Sequence, residues 1–358
     1  MAMKAAVLHE VGQPFVVEDV DLDGPREGEL RVRVQASGLC HSDLHLAQGD
    51  NPVVVPAILG HEAAGVVEAV GEGVEGIAVG DLVSTSFSSF CGHCAQCQTG
   101  HNHRCDTKPA GVTRPRVSLR GEPVYALAGI GGFAEEVVVH RNSVVKLPEG
   151  IPAECAALMG CAVLTGAGAA LNGAKVRPGS SVAVIGCGGV GLNVIQGARI
   201  AGAAQIIAID TVPAKLDAAR QFGATDVVLA GPDAVGEVRE LSSGGVDYGF
   251  EVIGLPATLL QAYHMVRKGG TVALVGMPRN DAMMDLPIAK LMFNEIRMIG
   301  SFMGSSPFQV FLPQLARLYL DGKLLLDELI SDRIGLDGIN EGYARLVAGE
   351  TRRNVVVF

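Results

Sequence analysis

Two kinds of patterning divide the chain. Up to about residue 150, short β-rich runs at 4–8, 30–34, 65–70, 81–84 and 135–140 are separated by clusters of Gly, Pro and Asp. Strands punctuated this way predict a barrel-like β domain. From about Ser181 the pattern changes to an apolar strand over 182–186, a glycine-rich turn, a helix over 190–201 and a second apolar strand over 205–210. That is a βαβ unit. A helix near 214–222 and strands near 226–229, 247–252 and 271–276 continue the alternation, which predicts a doubly wound parallel sheet buried on both faces. Amphipathic helices around 311–320 and 339–347 and an apolar strand over 354–358 end the chain, and this segment is expected to return to the first domain.

Length fits this division, since 358 residues exceed what one core usually organises. With 47 Gly, 5 Tyr and no Trp, the interior must come from Ala, Val, Leu and Ile on closely packed backbones, which suits an α/β protein. A formal charge of −10 without any Lys/Arg run argues against nucleic-acid or anionic-membrane partners and favours small-molecule chemistry. The N-terminal stretch lacks the apolar segment and cleavage site of a secretory signal. Apolar runs elsewhere are read as broken before the ~20 residues that span a bilayer. A cytoplasmic protein is therefore expected, in which eight cysteines serve as ligands, nucleophiles or packing residues rather than disulfides.

Cys91, Cys94, Cys97 and Cys105 follow one another at separations of three, three and eight. Two successive Cys-x-x-Cys turns and a fourth thiol closing a short loop suit a tetrahedral shell around a soft cation such as zinc. Disulfides and an iron–sulfur cluster are the competing readings. A closed shell leaves no position for substrate, so this would be a structural site. His93, His101 and His103 are read as solvated loop residues, because four thiolates already complete the shell. Other potential ligands lie beside glycines in Gly38-Leu39-Cys40-His41-Ser42-Asp43, Gly60-His61-Glu62 and Gly160-Cys161. A catalytic zinc needs three protein ligands and one open position. Taken alone, however, each scattered Cys or His reads more readily as a packing residue than as a ligand.

Gly186-Cys187-Gly188-Gly189-Val190-Gly191 follows a strand and opens a helix. In that context the first glycine permits the tight turn, the second lets a pyrophosphate approach the backbone and the third lets helix and strand pack, with the helix N-terminus facing the phosphates. Asp210 ends the next strand, 19 residues past Gly191, where a carboxylate binds ribose hydroxyls and repels a 2′-phosphate. No arginine follows it in Thr211, Val212 and Pro213, so NAD is expected over NADP.

Together these stretches, and the ending Arg352-Arg353-Asn354-Val355, resemble the zinc-containing alcohol dehydrogenases of the medium-chain dehydrogenase/reductase family over nearly the whole chain. The resemblance implies a GroES-like β-barrel catalytic domain (1–162 and 303–358) and an NAD-binding Rossmann domain (163–302). It implies two zinc ions per chain, a catalytic one on Cys40, His61 and Cys161 and a structural one on Cys91, Cys94, Cys97 and Cys105. Asp43 then orients His61 and Glu62 supports the site, although each also reads as an exposed turn or strand-edge charge. Ser42 and His45 match the family's proton relay. Thr165, Val275, Lys215, His41 and Arg353 match cofactor contacts, the last two with a surface-charge alternative, and Phe87, Met277 and Phe302 match an apolar substrate pocket. Cys155 and Cys187 match no ligand position and are read as buried packing residues.

The implied reaction removes the hydroxyl proton of an alcohol with the help of zinc and passes a hydride from the adjacent carbon to nicotinamide. Ser42, smaller than threonine, leaves room for bulky or aromatic primary alcohols, with secondary alcohols also expected. A thiol-dependent formaldehyde dehydrogenase of the same family competes for the substrate assignment, and a non-catalytic nucleotide-binding protein is the rival of another class. Residues 106–128 resemble a shortened form of the dimeric branch's loop, so a homodimer is favoured over a tetramer.

Overall fold

The strand Glu29–Gly38 buries Leu30, Val32, Val34 and Ala36, every second residue, so one pleated face is apolar. It pairs antiparallel with Glu62–Val70, with Glu136–His140 and, at its far end, with Arg353–Val357. The last strand of the chain thus completes the sheet built by the first third. Ala2–Leu8, Val16–Leu22, Val117–Leu119, Glu122–Ala126 and Ala57–Ile58 close a small barrel. Its core gathers Val7, Leu8, Ile58, Val124 and Phe133. This computed structural model describes residues 2–109 and 114–358. Contacts divide the chain into one unit of Met1–Cys161 with Pro307–Phe358 and another of Ala162–Ser306.

The second unit is a six-stranded sheet in the spatial order Asp226–Leu229, Gln205–Asp210, Ser181–Ile185, Val246–Glu251, Val266–Leu274, Arg297–Gly300. Every pairing is parallel. Strand order reverses between Ser181–Ile185 and Val246–Glu251, which makes the carboxyl ends of these two strands the switch point where such sheets bind ligands. Ala183, Ile185, Ile207 and Ile209 are buried, as strands covered on both faces require.

Some elements depart from expectation. Val16–Leu22 is a strand although its Glu and Asp residues mask the alternation. Within 106–128 the described part supplies two barrel strands, and 110–113 lie outside the described residues. The reading that every apolar run stops short of membrane-spanning length is corrected by Ala153–Gly173, a 21-residue helical run long and apolar enough by length and composition. Its interruptions are one Glu and several small glycines, which lower hydropathy little, and 83% of its most apolar stretch is buried within the protein.

Candidate active site

Two groups of potential metal ligands emerge among the described residues, both in the barrel-containing unit. In the first, Cys91, Cys94, Cys97 and Cys105 bring their sulfurs within 4.8 Å of one another. Cys94 Sγ lies 3.5 Å from Cys97 Sγ and 3.8 Å from Cys105 Sγ. Backbone N–H groups of Cys91 and Cys94 point at the sulfurs of Cys105 and Cys91, at 3.2 and 3.3 Å. Backbone amides, that of Cys97 first, bring the Cys94 thiol down to about 6. Burial, reinforced by the neighbouring cysteines, pushes Cys97 up to about 12. Four sulfurs that cannot all carry charge beside one another are a donor set that a divalent cation resolves. His93 and His101 are exposed, but His103 is buried, which corrects its reading as a solvated loop residue. The short helical turn Asn102–Arg104 turns its ring inward, and burial takes it down to about 4.

The second group joins Cys40, His61, Glu62 and Cys161, all buried. Cys40 is the residue that caps the helix His41–Gln48, immediately after the strand Glu29–Gly38 and Leu39. His61 and Glu62 lead into the strand Glu62–Val70. Cys161 sits in the π-helical turn Met159–Val163, a local widening of the helix common at functional sites. Its neighbour Gly160 lies against the strand Leu82–Thr85, where a Cβ would stand 1.9 Å from the Thr85 carbonyl oxygen, so only glycine lets this turn approach. His61 Nε2 lies 3.2 Å from Cys161 Sγ, while Nδ1 faces the Asp43 carboxylate at 3.0 Å. Asp43 Oδ1 also accepts the Gly60 N–H at 3.0 Å. Asp43 is therefore fully buried and fixed, not a solvated turn residue.

The electrostatics follow from burial. Burial opposes a charged His61, but the Asp43 carboxylate and Cys40 outweigh it and hold the imidazole well above its usual value. Sharing a proton with Cys161 draws Cys40 well below the ordinary thiol range. Burial lifts Glu62 to about 7 despite the nearby Arg353. Arg353 is itself buried, 3.4 Å from Glu62, and donates to the Leu39 carbonyl at 3.0 Å. The surface-charge alternatives for Arg353 and Glu62 are thus corrected, because the C-terminal strand carries Arg353 beneath the cluster. Phe87 meets the His61 ring edge-on at 5.5 Å. His41 is exposed at the start of its helix. Ser42 and His45 are half-buried three residues apart on the same helix, a spacing that puts them on one face. His45 Nδ1 pairs with Asp50 at 2.8 Å, a partner that sequence reading missed because Asp50 looks like an ordinary turn residue after Gly49.

In the other unit, the glycine turn runs from the strand Ser181–Ile185 into the helix Gly189–Ile200, with Gly188 as its cap. A Cβ on Gly191 would lie 1.8 Å from the Gly186 carbonyl oxygen, whereas one on Gly188 would meet nothing within 4 Å. The turn is closed where helix and strand must pack and open where a phosphate would approach. Val190 lies in the first turn of the helix. Asp210 accepts the Cys187 N–H at 2.8 Å through Oδ2 and the Val212 N–H at 3.0 Å through Oδ1. Lys215 lies in the first turn of the helix Pro213–Phe222. Thr165 Oγ1 is 3.9 Å from Met303 Sδ, and the Val275 N–H donates to the Glu251 carbonyl at 2.8 Å. Met277 and Phe302 are exposed on this unit. Cys155 and Cys187 are fully buried, as expected of packing residues.

Barrel and doubly wound sheet each match a family model. Residues 26–149 match the alcohol dehydrogenase GroES-like domain and 189–317 the zinc-binding dehydrogenase domain, so the class is a zinc-binding dehydrogenase with a GroES-like and a Rossmann-like part. The NDMA-dependent alcohol dehydrogenase of Amycolatopsis methanolica is 39% identical, over 100% of this chain and 99% of its own. Pea (Pisum sativum) alcohol dehydrogenase 1 is 35% identical, over 99% and 96%. The crystal structure of benzyl alcohol dehydrogenase from Acinetobacter calcoaceticus matches with a TM-score of 0.94 at 33% identity, covering 100% of this chain and 99% of that one. The chain belongs to the zinc-containing alcohol dehydrogenases of the medium-chain dehydrogenase/reductase family.

Proposed function

We propose that this protein oxidises primary alcohols, bulky or aromatic ones included, and secondary alcohols to aldehydes and ketones, reversibly and with NAD. The observation that carries the reading is the convergence of the Cys40 and Cys161 thiols on His61 Nε2 in a buried pocket backed by Asp43. Two thiolates and one imidazole are a donor set that fits a catalytic zinc with one position left for substrate. Cys91, Cys94, Cys97 and Cys105 fit a closed structural site. When bound, the catalytic zinc supplies Lewis acidity to a substrate hydroxyl and NAD supplies the hydride acceptor.

The chain's own residues do the rest. Asp43 holds His61 Nδ1 and so presents Nε2 to the ligand cluster. Glu62 and Arg353 form an ion pair behind it. Ser42 accepts the hydroxyl proton as it gives up its own, and the displaced proton passes toward His45 and solvent, with Asp50 orienting the ring. Phe87 supplies an apolar wall beside His61. Met277 and Phe302, exposed apolar side chains of the other unit, are the remaining residues assigned to substrate contact. The amide end of the helix Gly189–Ile200 and the open face of Gly188 suit the pyrophosphate, and Asp210 and Lys215 the ribose. Thr165, Val275, His41 and Arg353 are assigned to the remaining cofactor contacts. Eight reduced cysteines suit the cytoplasm, and a homodimer is the assembly we favour.

Metal analysis should find two zinc ions per chain, and one would remove the catalytic-site assignment. Mixing enzyme, NAD and a panel of alcohols should raise the near-ultraviolet absorbance of reduced nicotinamide. No signal with any alcohol would sink the hydride assignment. Adding NDMA, on which the A. methanolica relative depends by name, supplies a further arm. Turnover only in its presence would overturn free NAD as the acceptor. Asp210→Gly should raise the ratio of NADP to NAD use by about tenfold, through loss of charge repulsion and of ribose hydrogen bonds. An unchanged ratio of kcat/KM values would count against Asp210 as the selector.

A further inference from the structure

We propose that Glu251 is a positioning residue for the dinucleotide, its carboxylate tying together the turns at the switch point of the parallel sheet. The inference rests on the NAD reading above. Glu251 ends the strand Val246–Glu251 and is fully buried. It stands between Ile185, which leads into the glycine turn, and Leu274, which leads into Val275.

A carboxylate buried among apolar strand ends is costly unless hydrogen bonds compensate it. Glu251 Oε1 accepts three: the N–H of Ile253 at 2.9 Å, the N–H of Gly254 at 2.8 Å and the Thr258 hydroxyl at 2.8 Å. Its main-chain carbonyl accepts the N–H groups of Val275 and Gly276 at 2.8 and 3.0 Å. One residue therefore sets both the loop after its own strand and the turn after the next.

Those segments leave no slack. A Cβ on Gly186 would stand 2.8 Å from Ile253 Cγ1, so the first glycine of the fingerprint packs directly on the loop that Glu251 holds. A Cβ on Gly276 would stand 2.2 Å from the Gly254 nitrogen, and one on Gly254 2.3 Å from the Met277 carbonyl oxygen. Displacing Ile253 and Gly254 therefore displaces Gly186 on one side and Gly276 and Met277 on the other. The second carboxylate oxygen, Oε2, is buried with no hydrogen-bond partner, so Oε1 alone grips the loop. Glutamine keeps such an oxygen, alanine removes it, and Thr258→Val removes one of its three donors.

The test uses the zinc-loaded enzyme and measures the NADH dissociation constant by fluorescence titration, together with steady-state kinetics. Glu251→Ala should weaken NADH binding by about tenfold or more and raise the KM for NAD in step, with kcat at saturating NAD within about threefold of wild type. Glu251→Gln should recover most of the affinity, and Thr258→Val should show a smaller loss. An unchanged dissociation constant in Glu251→Ala, or a fall in kcat with KM unaltered, would overturn the proposal. A lowered melting temperature with full NADH affinity would do the same. Should the alanine variant fail to fold, wild-type affinity in Thr258→Val decides against it equally. Wild-type enzyme that binds no NADH would instead overturn the NAD reading, and this inference with it.

Discussion

His61→Ala should abolish alcohol oxidation and release one of the two zinc ions while leaving the four-thiol lobe loaded. The imidazole is the neutral member of the ligand set, and without it two neighbouring sulfurs must balance a divalent cation unaided. Losing Lewis-acid activation removes several kcal/mol of transition-state stabilisation, so kcat/KM should fall by about 10³-fold or more. The substitution also strips Asp43 of its ring partner and leaves a buried carboxylate with one backbone donor, Gly60. That should cost roughly 1–3 kcal/mol of stability. Zinc analysis, turnover and thermal melting check the three effects separately. A variant that keeps both zinc ions and its activity would refute the ligand assignment.

Gly191→Val should abolish NADH binding while leaving zinc content unchanged. The obstacle is covalent geometry, because any Cβ at this position would stand 1.8 Å from the Gly186 carbonyl oxygen. The helix Gly189–Ile200 would have to withdraw from the turn, carrying with it the amide end that faces the phosphates. We expect destabilisation of the nucleotide unit by about 1–3 kcal/mol or more and a loss of NADH affinity of about 100-fold or more. Calorimetric titration checks the affinity. A value within about threefold of wild type would contradict the packing role of Gly191.

What the sequence revealed, and what it hid, has a physical pattern. Strands covered on both faces read as uninterrupted apolar runs, and Gln205–Asp210 was legible to the residue, as was the short apolar edge strand Asp226–Leu229. The strand Val16–Leu22 was not, because a strand with one face in solvent can carry Asp19 and Asp21 outward, while Glu18 on the opposite face pairs with His9. Ala153–Gly173 escaped because small residues on every side give no amphipathic signal. Among site residues, motifs were legible wherever glycine spacing accompanied the ligand, as at Gly60-His61 and Gly160-Cys161. Arg353, His103 and Glu251 misled or escaped attention for one shared reason. A charged or polar side chain is presumed to face water, and only the fold shows that these three point inward, toward Glu62, the interior of the thiol lobe and the switch point.

Asp210 carries a consequence for any attempt to change cofactor preference. Its carboxylate already accepts the N–H groups of Cys187 and Val212, so on the NAD assignment proposed above one side chain would both discriminate and brace the glycine turn. A lineage drifting from NAD toward NADP cannot cross at this position by one substitution without weakening its hold on both. The selectivity ratio would improve while each absolute affinity declined, until a second change restored the bracing. Recruitment of the other dinucleotide is thus an epistatic path through a poorer enzyme, and its first step should be visible only under conditions that tolerate the loss.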